Sequence, residues 1–299
     1  MVLINKYYAG VRRREPADPN PIYIYWATDA HVYAEVDGNS EHENAKLGNR
    51  YFYTVGQKLQ NFVDDINTYK PDLVFFTGDM VEAWGLTGSP ELFLIKWNQI
   101  EVRKELIIGN HDMAIGGANI ANTTMADMLG YGNNPIIAGS KYNYSFYLDN
   151  GFNKVKIISF DTNLDENGNH VAIAKQTVTQ PVIDWIESEL LNSQTNSVIM
   201  FSHANPGDDT EWHFQESGQL AFKQMIDNVA AQRPNLKMYC LAGHNHRQGI
   251  NEYTRLGPNI RCFSISPIVD FEIGKYAIVS ISQKYGLSIR EISLHYPYP

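Results

Sequence analysis

Ile22-Tyr-Ile-Tyr-Trp-Ala-Thr-Asp-Ala-His31 is the stretch that decides the architecture. Its first six residues, after Pro21, are aromatic and β-branched and read as a buried strand. The run then passes without a break into a carboxylate and an imidazole. The same arrangement recurs along the chain. Asp72-Leu-Val-Phe-Phe-Thr77 ends in Gly78-Asp79, and Lys104-Glu-Leu-Ile-Ile108 ends in Gly109-Asn110-His111-Asp112. Ser197-Val-Ile-Met-Phe-Ser202 ends in His203, and Lys237-Met-Tyr-Cys-Leu-Ala242 ends in Gly243-His244-Asn245-His246.

Helical patterns lie between these strands. Phe52, Val55, Leu59, Phe62, Val63 and Ile66 share one helical face, and Pro71 closes that helix. Glu91 to Ile100, a short piece from Thr123 to Leu129, Pro181 to Leu191 and Gln219 to Ala231 read as further helices. Tyr144 to Leu148 and Val155 to Phe160 form two strands joined by a turn at Asp149-Asn150-Gly151. Ile260 to Leu294 reads as three more strands, with turns near Gly274 and Gly286. Glu35 to Asn49 is too rich in Gly, Asn and Glu for a core element. The expectation is a single domain over residues 1–299, with residues 1–20 as an N-terminal extension and residues 32–49 as a lid loop. Its fold class is α/β, two packed sheets flanked by helices.

Composition narrows the function. The 299 residues carry a formal charge of −9, which argues against long nucleic acid as a partner. No apolar run approaches the roughly 20 residues that span a bilayer. The N-terminus has Arg12, Arg13 and Arg14 but no apolar core of a secretory signal, so the chain reads as cytoplasmic. Cys240 and Cys262 form no metal motif and read as buried free thiols, with a bridge between neighbouring strands left open.

Taken alone, each strand-end motif is weak. Gly-Asp and Gly-Asn are ordinary turn chemistry, and a lone His after an apolar run is usually a satisfied structural residue. In Asp29-x-His31 and His244-x-His246, residues two apart in an extended segment would point to one side and grip one ion. Loops past strand ends are where α/β folds gather ligand-binding groups. Five such motifs in order make a mixed set of carboxylate, imidazole and amide oxygen. That set suits Mn, Fe or Zn in preference to a thiolate zinc site or a calcium cage.

At this point the sequence resembles the calcineurin-like metallophosphoesterase superfamily, whose pattern is D-x-H, G-D, G-N-H-D/E, a lone His and G-H-x-H. The resemblance runs from about Tyr23 to His246. It implies a four-layer α/β/β/α sandwich and a centre of two divalent metal ions. One ion would take Asp29, His31, Asp79 and His246, and the other Asp79, Asn110, His203 and His244, with Asp79 bridging. A metal-activated hydroxide would attack a small phosphoester. His111, held by Asp112 or another carboxylate, would serve the leaving-group oxygen. The stretches after Gly78-Asp79 and Gly109-Asn110-His111 carry no Arg, unlike the protein phosphatases of the superfamily. Glu82 stands where purple acid phosphatases place a Tyr ligand, which speaks against a ferric-tyrosinate site. A phosphodiesterase is the expectation. A non-catalytic metal-binding scaffold, and a nuclease or nucleotidase, are the alternatives. Trp84, Trp212, His213 and Arg247 are candidate pocket residues. Asp208, Asp209 and Glu211 read as a solvated acidic loop, and His42 falls in the lid.

Overall fold

The computed structural model describes residues 20–32, 46–47, 50–51, 55–82, 89–113, 126–165, 167, 169–170, 176–208, 214–270 and 273–294. Two mixed sheets carry the structure. The first has the order β13-β12-β1-β4-β5, built from Gly286–Leu294 (β13), Gly274–Ser282 (β12), Ile22–Ala27 (β1), Leu73–Thr77 (β4) and Lys104–Ile107 (β5). The second has the order β10-β11-β9-β8-β7-β6. Its strands are Asn251–Tyr253 (β10), Ile260–Ser264 (β11), Lys237–Ala242 (β9), Ser197–Ser202 (β8), Lys154–Ser159 (β7) and Tyr144–Asp149 (β6). Lys46–Leu47 (β2) and Arg50–Tyr51 (β3) form a small separate pair. Within the sheets, β1, β4 and β5 run parallel, as do β7, β8, β9 and β11.

Helices cover the outer faces, giving the α/β/β/α sandwich. The helix α1 (Val55–Tyr69) buries Val55, Leu59, Phe62, Val63 and Ile66 at helical spacing. It ends at Lys70, whose left-handed φ of 47° precedes Pro71. The helix α2 runs Ser89–Trp97, not Glu91 to Ile100. Ser89-Pro90 opens it, Pro being pre-set for a first turn, and Ile100 closes back on the Trp97 carbonyl at 3.2 Å. The helices α3 (Gln180–Leu191) and α4 (Glu216–Gln232) pack on the second sheet. Between the sheets, the Phe75 and Phe201 rings stack with centroids 3.8 Å apart. Burying each such ring contributes about 1.5–3 kcal/mol.

The three strands expected over Ile260 to Leu294 are β11, β12 and β13, and Gly274 is the first residue of β12, paired with Leu294 at the end of the β12–β13 ladder. The β12 strand also pairs with β1, from Ile22↔Ile281 to Trp26↔Ala277, so it lies inside the first sheet. Cys240 and Cys262 are register partners on β9 and β11 and are buried free thiols. Most of the 32–49 stretch, including His42, lies outside the described residues. Val32 itself bridges Val81, extending the β1–β4 pairing. Among the described residues no helix is long and apolar enough to cross a membrane.

Candidate metal centre

Parallel strands deliver their C-terminal ends to one edge of each sheet, and the sandwich brings the two edges together. From the first sheet come Asp29, His31, Asp79, Asn110 and His111; from the second come His203, His244 and His246. The ligand atoms of Asp29, His31, Asp79 and His246 lie within 4.8 Å of one another. So do those of Asp79, His203 and His244, which makes Asp79 common to both groups. In the first group, His31 Nε2 is 3.1 Å from His246 Nε2, 3.5 Å from Asp79 Oδ2 and 3.8 Å from Asp29 Oδ1. In the second, His203 Nε2 is 3.3 Å from Asp79 Oδ2, 3.1 Å from His244 Nδ1 and 3.2 Å from Asn110 Oδ1.

The backbone at these positions is not extended. Among the described residues seven non-glycine residues have positive φ, and five of them are Asp29, His31, Asp79, His244 and His246. The D-x-H and H-x-H pairs converge through left-handed residues, and the two-residue repeat of a strand is not the cause. Each such residue costs about 1–3 kcal/mol. Backbone bonds hold them in place. Asp29 N–H donates to the Gly78 carbonyl at 3.0 Å and His31 N–H to the Asp79 carbonyl at 2.9 Å. The preceding glycines permit the close approach. A Cβ on Gly243 would collide with Thr28 Oγ1 and Asp29 Oδ2, and one on Gly109 would collide with the Asp79 carboxylate. The residue between the two histidines, Asn245, turns away to Ser264 and Asp208 at 3.1 and 3.2 Å and anchors the loop.

The donor chemistry fits cations. His203 Nδ1 donates to the Thr77 carbonyl at 2.7 Å, and a carbonyl can only accept, so Nδ1 carries the proton. His31 Nδ1 is likewise committed to Glu82 Oε2 at 2.8 Å, and His246 Nδ1 lies 3.0 Å from Asp270 Oδ1. When neutral, rings so held turn bare Nε2 lone pairs towards one another and towards two carboxylates. That arrangement is repulsive until positive charge enters it, as a cation or as protons. Without a cation, the raised imidazoles show the same demand for positive charge. Burial opposes charge on His203, yet the Asp79 carboxylate lifts it to about 9; burial likewise opposes His246, which Asp270 and Asp29 lift to about 10. Burial would raise Asp29 and Asp79. Bonds to His246 and His31 hold Asp29 well below the carboxylate range, and His203 holds Asp79 low.

His111 is 27% exposed at the side chain, and its ring stands edge-on to His31 with centroids 4.6 Å apart. Its Nδ1 donates to the Glu82 carbonyl at 2.9 Å and lies 3.6 Å from the Glu82 carboxylate. Glu82 is therefore the carboxylate beside His111. Asp112 is buried and accepts backbone N–H groups from Gly109 at 2.8 Å and Val81 at 3.1 Å. It ties the turn together, and burial with the nearby Asp79 charge pushes it up to about 7.

Sequence reading missed Glu82 and Asp270 as partners of ring nitrogens. Asp270 had a usable signal, since it too follows an apolar run, Ile268-Val269. Its segment joins the centre through Ile268 N–H and Val269 N–H, which bond the Thr28 and Asp29 carbonyls at 3.1 Å. The buried Lys58 reaches from α1 to the Val269 carbonyl at 3.2 Å. Asp208 is not on a solvated loop; it is buried against Asn245, with Arg247 at 4.0 Å. Arg247 also lies over the Tyr253 ring at 5.6 Å. Trp84, Asp209, Glu211, Trp212 and His213 lie outside the described residues.

Comparison with solved structures finds the same fold in proteins of low identity. A dimetal phosphatase from Danio rerio superposes with a TM-score of 0.58 at 12% identity, covering 93% of this chain and all of that one. The purple acid phosphatase of yellow lupin seeds gives 0.58 at 15%, covering 94% of this chain and 52% of the lupin protein. GAP50, the anchor in the inner membrane complex of Plasmodium, gives 0.55 at 10%, covering 92% and 85%. No curated protein sequence matches the chain significantly. These likenesses show the fold alone. The sequence itself matches the family model of calcineurin-like phosphoesterases over residues 22–248, a span that opens with β1 and closes just past His246. With the model covering most of the chain and all five strand-end motifs, the protein belongs to the calcineurin-like phosphoesterase family.

Proposed function

We propose that this protein is a metal-dependent hydrolase of small phosphoesters, acting on diesters in preference to monoesters. The observation that carries the reading is the pair of ligand groups meeting at Asp79. Asp29, His31, Asp79 and His246 would hold one divalent ion, and Asp79, Asn110, His203 and His244 the other; Mn, Fe and Zn all suit this donor set. When bound, the two ions supply charge for the phosphate oxygens and acidify a water.

The chain's own groups do the rest. His111 keeps its Nδ1 proton on the Glu82 carbonyl, so Nε2 is the ring atom left to face the ester. From there, as imidazolium, it donates a hydrogen bond or a proton to the departing oxygen. The diester preference rests on what flanks the motifs. Met80, Val81 and Met113 are buried apolar residues where an extra cation would suit a dianionic monoester. A diester carries one negative charge fewer and has less need of one.

The test strips metal from the protein, adds back Mn, and follows a chromogenic phosphodiester beside the matching monoester. Metal-dependent cleavage that is faster for the diester is expected. Two ions bound with neither ester cleaved would favour the scaffold alternative, and no metal bound would end the proposal. A second expected result concerns close packing. Gly243→Ala drives a methyl into Thr28 and Asp29, so Mn affinity should fall by about 10–100-fold, the range seen when partners of metal ligands are disturbed. Unchanged affinity in a calorimetric titration would show that this approach is not needed.

A further inference from the structure

The side-chain amide of Asn110 has an oxygen that can hold a cation and an NH2 that cannot. A directed chain of hydrogen bonds decides which end faces His203. It begins at the backbone N–H of Ala204, which can only donate and gives to Thr162 Oγ1 at 3.2 Å. The Thr162 hydroxyl passes its own proton to Gln176 Oε1. The amide of Gln176 is thereby fixed with its NH2 outward, and that NH2 donates to Asn110 Oδ1 at 3.1 Å. The directions run consistently from the first donor, an N–H that can only donate. The chain ends with the Asn110 oxygen 3.2 Å from His203 Nε2. Thr162 and Gln176 are fully buried.

The backbone around Gln176 is equally fixed. Its carbonyl accepts Gln215 N–H at 2.8 Å, and Thr177 N–H bonds the Thr162 carbonyl at 3.2 Å. Next to Thr162, the buried Asp161 holds its loop through Ser140 Oγ at 2.8 Å and His170 Nε2 at 2.7 Å.

We propose that Gln176 is a positioning residue for the metal centre: it holds the Asn110 amide so that oxygen, not NH2, faces the ion shared with Asp79, His203 and His244. The proposal rests on the reading of Asn110 as a ligand. A glutamate would lack the proton to donate, and a leucine would leave Asn110 able to turn its NH2 inward. Since Ala204 directly follows His203, the same chain locks two ligands of that one ion to each other.

The experiment titrates the metal-stripped full chain with Mn2+ by calorimetry, resolving two binding steps. Gln176→Leu, Thr162→Val, Asn110→Ala and the Gln176→Leu/Asn110→Ala double variant are compared with the parent. Gln176→Leu is expected to weaken one step by about 10–100-fold and leave the other unchanged. Asn110→Ala should weaken the same step, and the double variant should be no weaker than Asn110→Ala alone, since both act through one oxygen. If Asn110→Ala alters neither step, the ligand reading beneath the proposal fails. If Asn110→Ala weakens one step and Gln176→Leu weakens none, or weakens both equally with a fall in Tm, the positioning role is overturned. Should Gln176→Leu fail to fold, Thr162→Val breaks the same relay at its hydroxyl and must weaken the same step.

Discussion

Asp79→Ala will bind at most one ion and will cleave neither diester nor monoester. Its Oδ2 stands 3.5 Å from His31 Nε2 and 3.3 Å from His203 Nε2, so a single carboxylate oxygen faces both ligand groups at once. No other residue belongs to both. Removing one preorganised donor from a developing charge already costs about 10²–10³ in rate. Losing the shared ligand of both ions should cost on the order of 10³ or more by the same scale. Metal analysis of the purified variant, with turnover of both esters, checks this. Two ions retained at full occupancy would show that Asp79 does not bridge.

His111→Ala should separate binding from chemistry. Turnover is expected to fall by about 10²–10⁴, the usual contribution of a positioned acid or base, with metal content unchanged. The separation has a structural ground. The only bond His111 makes to the Asp79 side chain is from its backbone N–H to Oδ1 at 2.9 Å, and alanine keeps that group. The deficit should be larger for an alkyl ester than for a nitrophenyl ester, whose leaving group needs little help with a proton. Metal loss parallel to the rate loss would join His111 to the ligands and sink the division of roles.

Much of this fold could be read in advance because burial and chemistry alternate so regularly. Leu73–Thr77 and Ser197–Ser202 are buried at every position, and apolar runs, Leu73 to Phe76 and Val198 to Phe201, fill them up to a polar last residue. The helix α1 announced itself through its apolar face. The place of Gly274–Ser282 could not be read. Nothing in Ile278, Val279 or Ile281 says that the partner is β1, some 250 residues earlier, and pairing across such a separation leaves no local mark. The centre shows the same division. Residue types at strand ends identified the cluster, but the left-handed turns that aim Asp29 and His246 depend on bonds to Gly78, Asp79 and Asp270 from elsewhere in the chain. Asp112 sits beside His111 in sequence, yet its carboxylate turns to the Gly109 and Val81 amides, because a tight turn has its own donors to satisfy.

The position of β12 bears on how the chain is made. During synthesis β1 emerges early and gains β4 on one flank soon afterwards. Its other flank, Ile22 to Trp26, waits for Ala277 to Ile281. Until the ribosome has passed residue 281, an apolar strand shows an unpaired row of N–H and C=O groups, the kind of template on which nascent chains stick to one another. The strand whose loop carries Asp29 and His31 is thus among the first made and among the last enclosed, and it depends longest on whatever shields a growing chain.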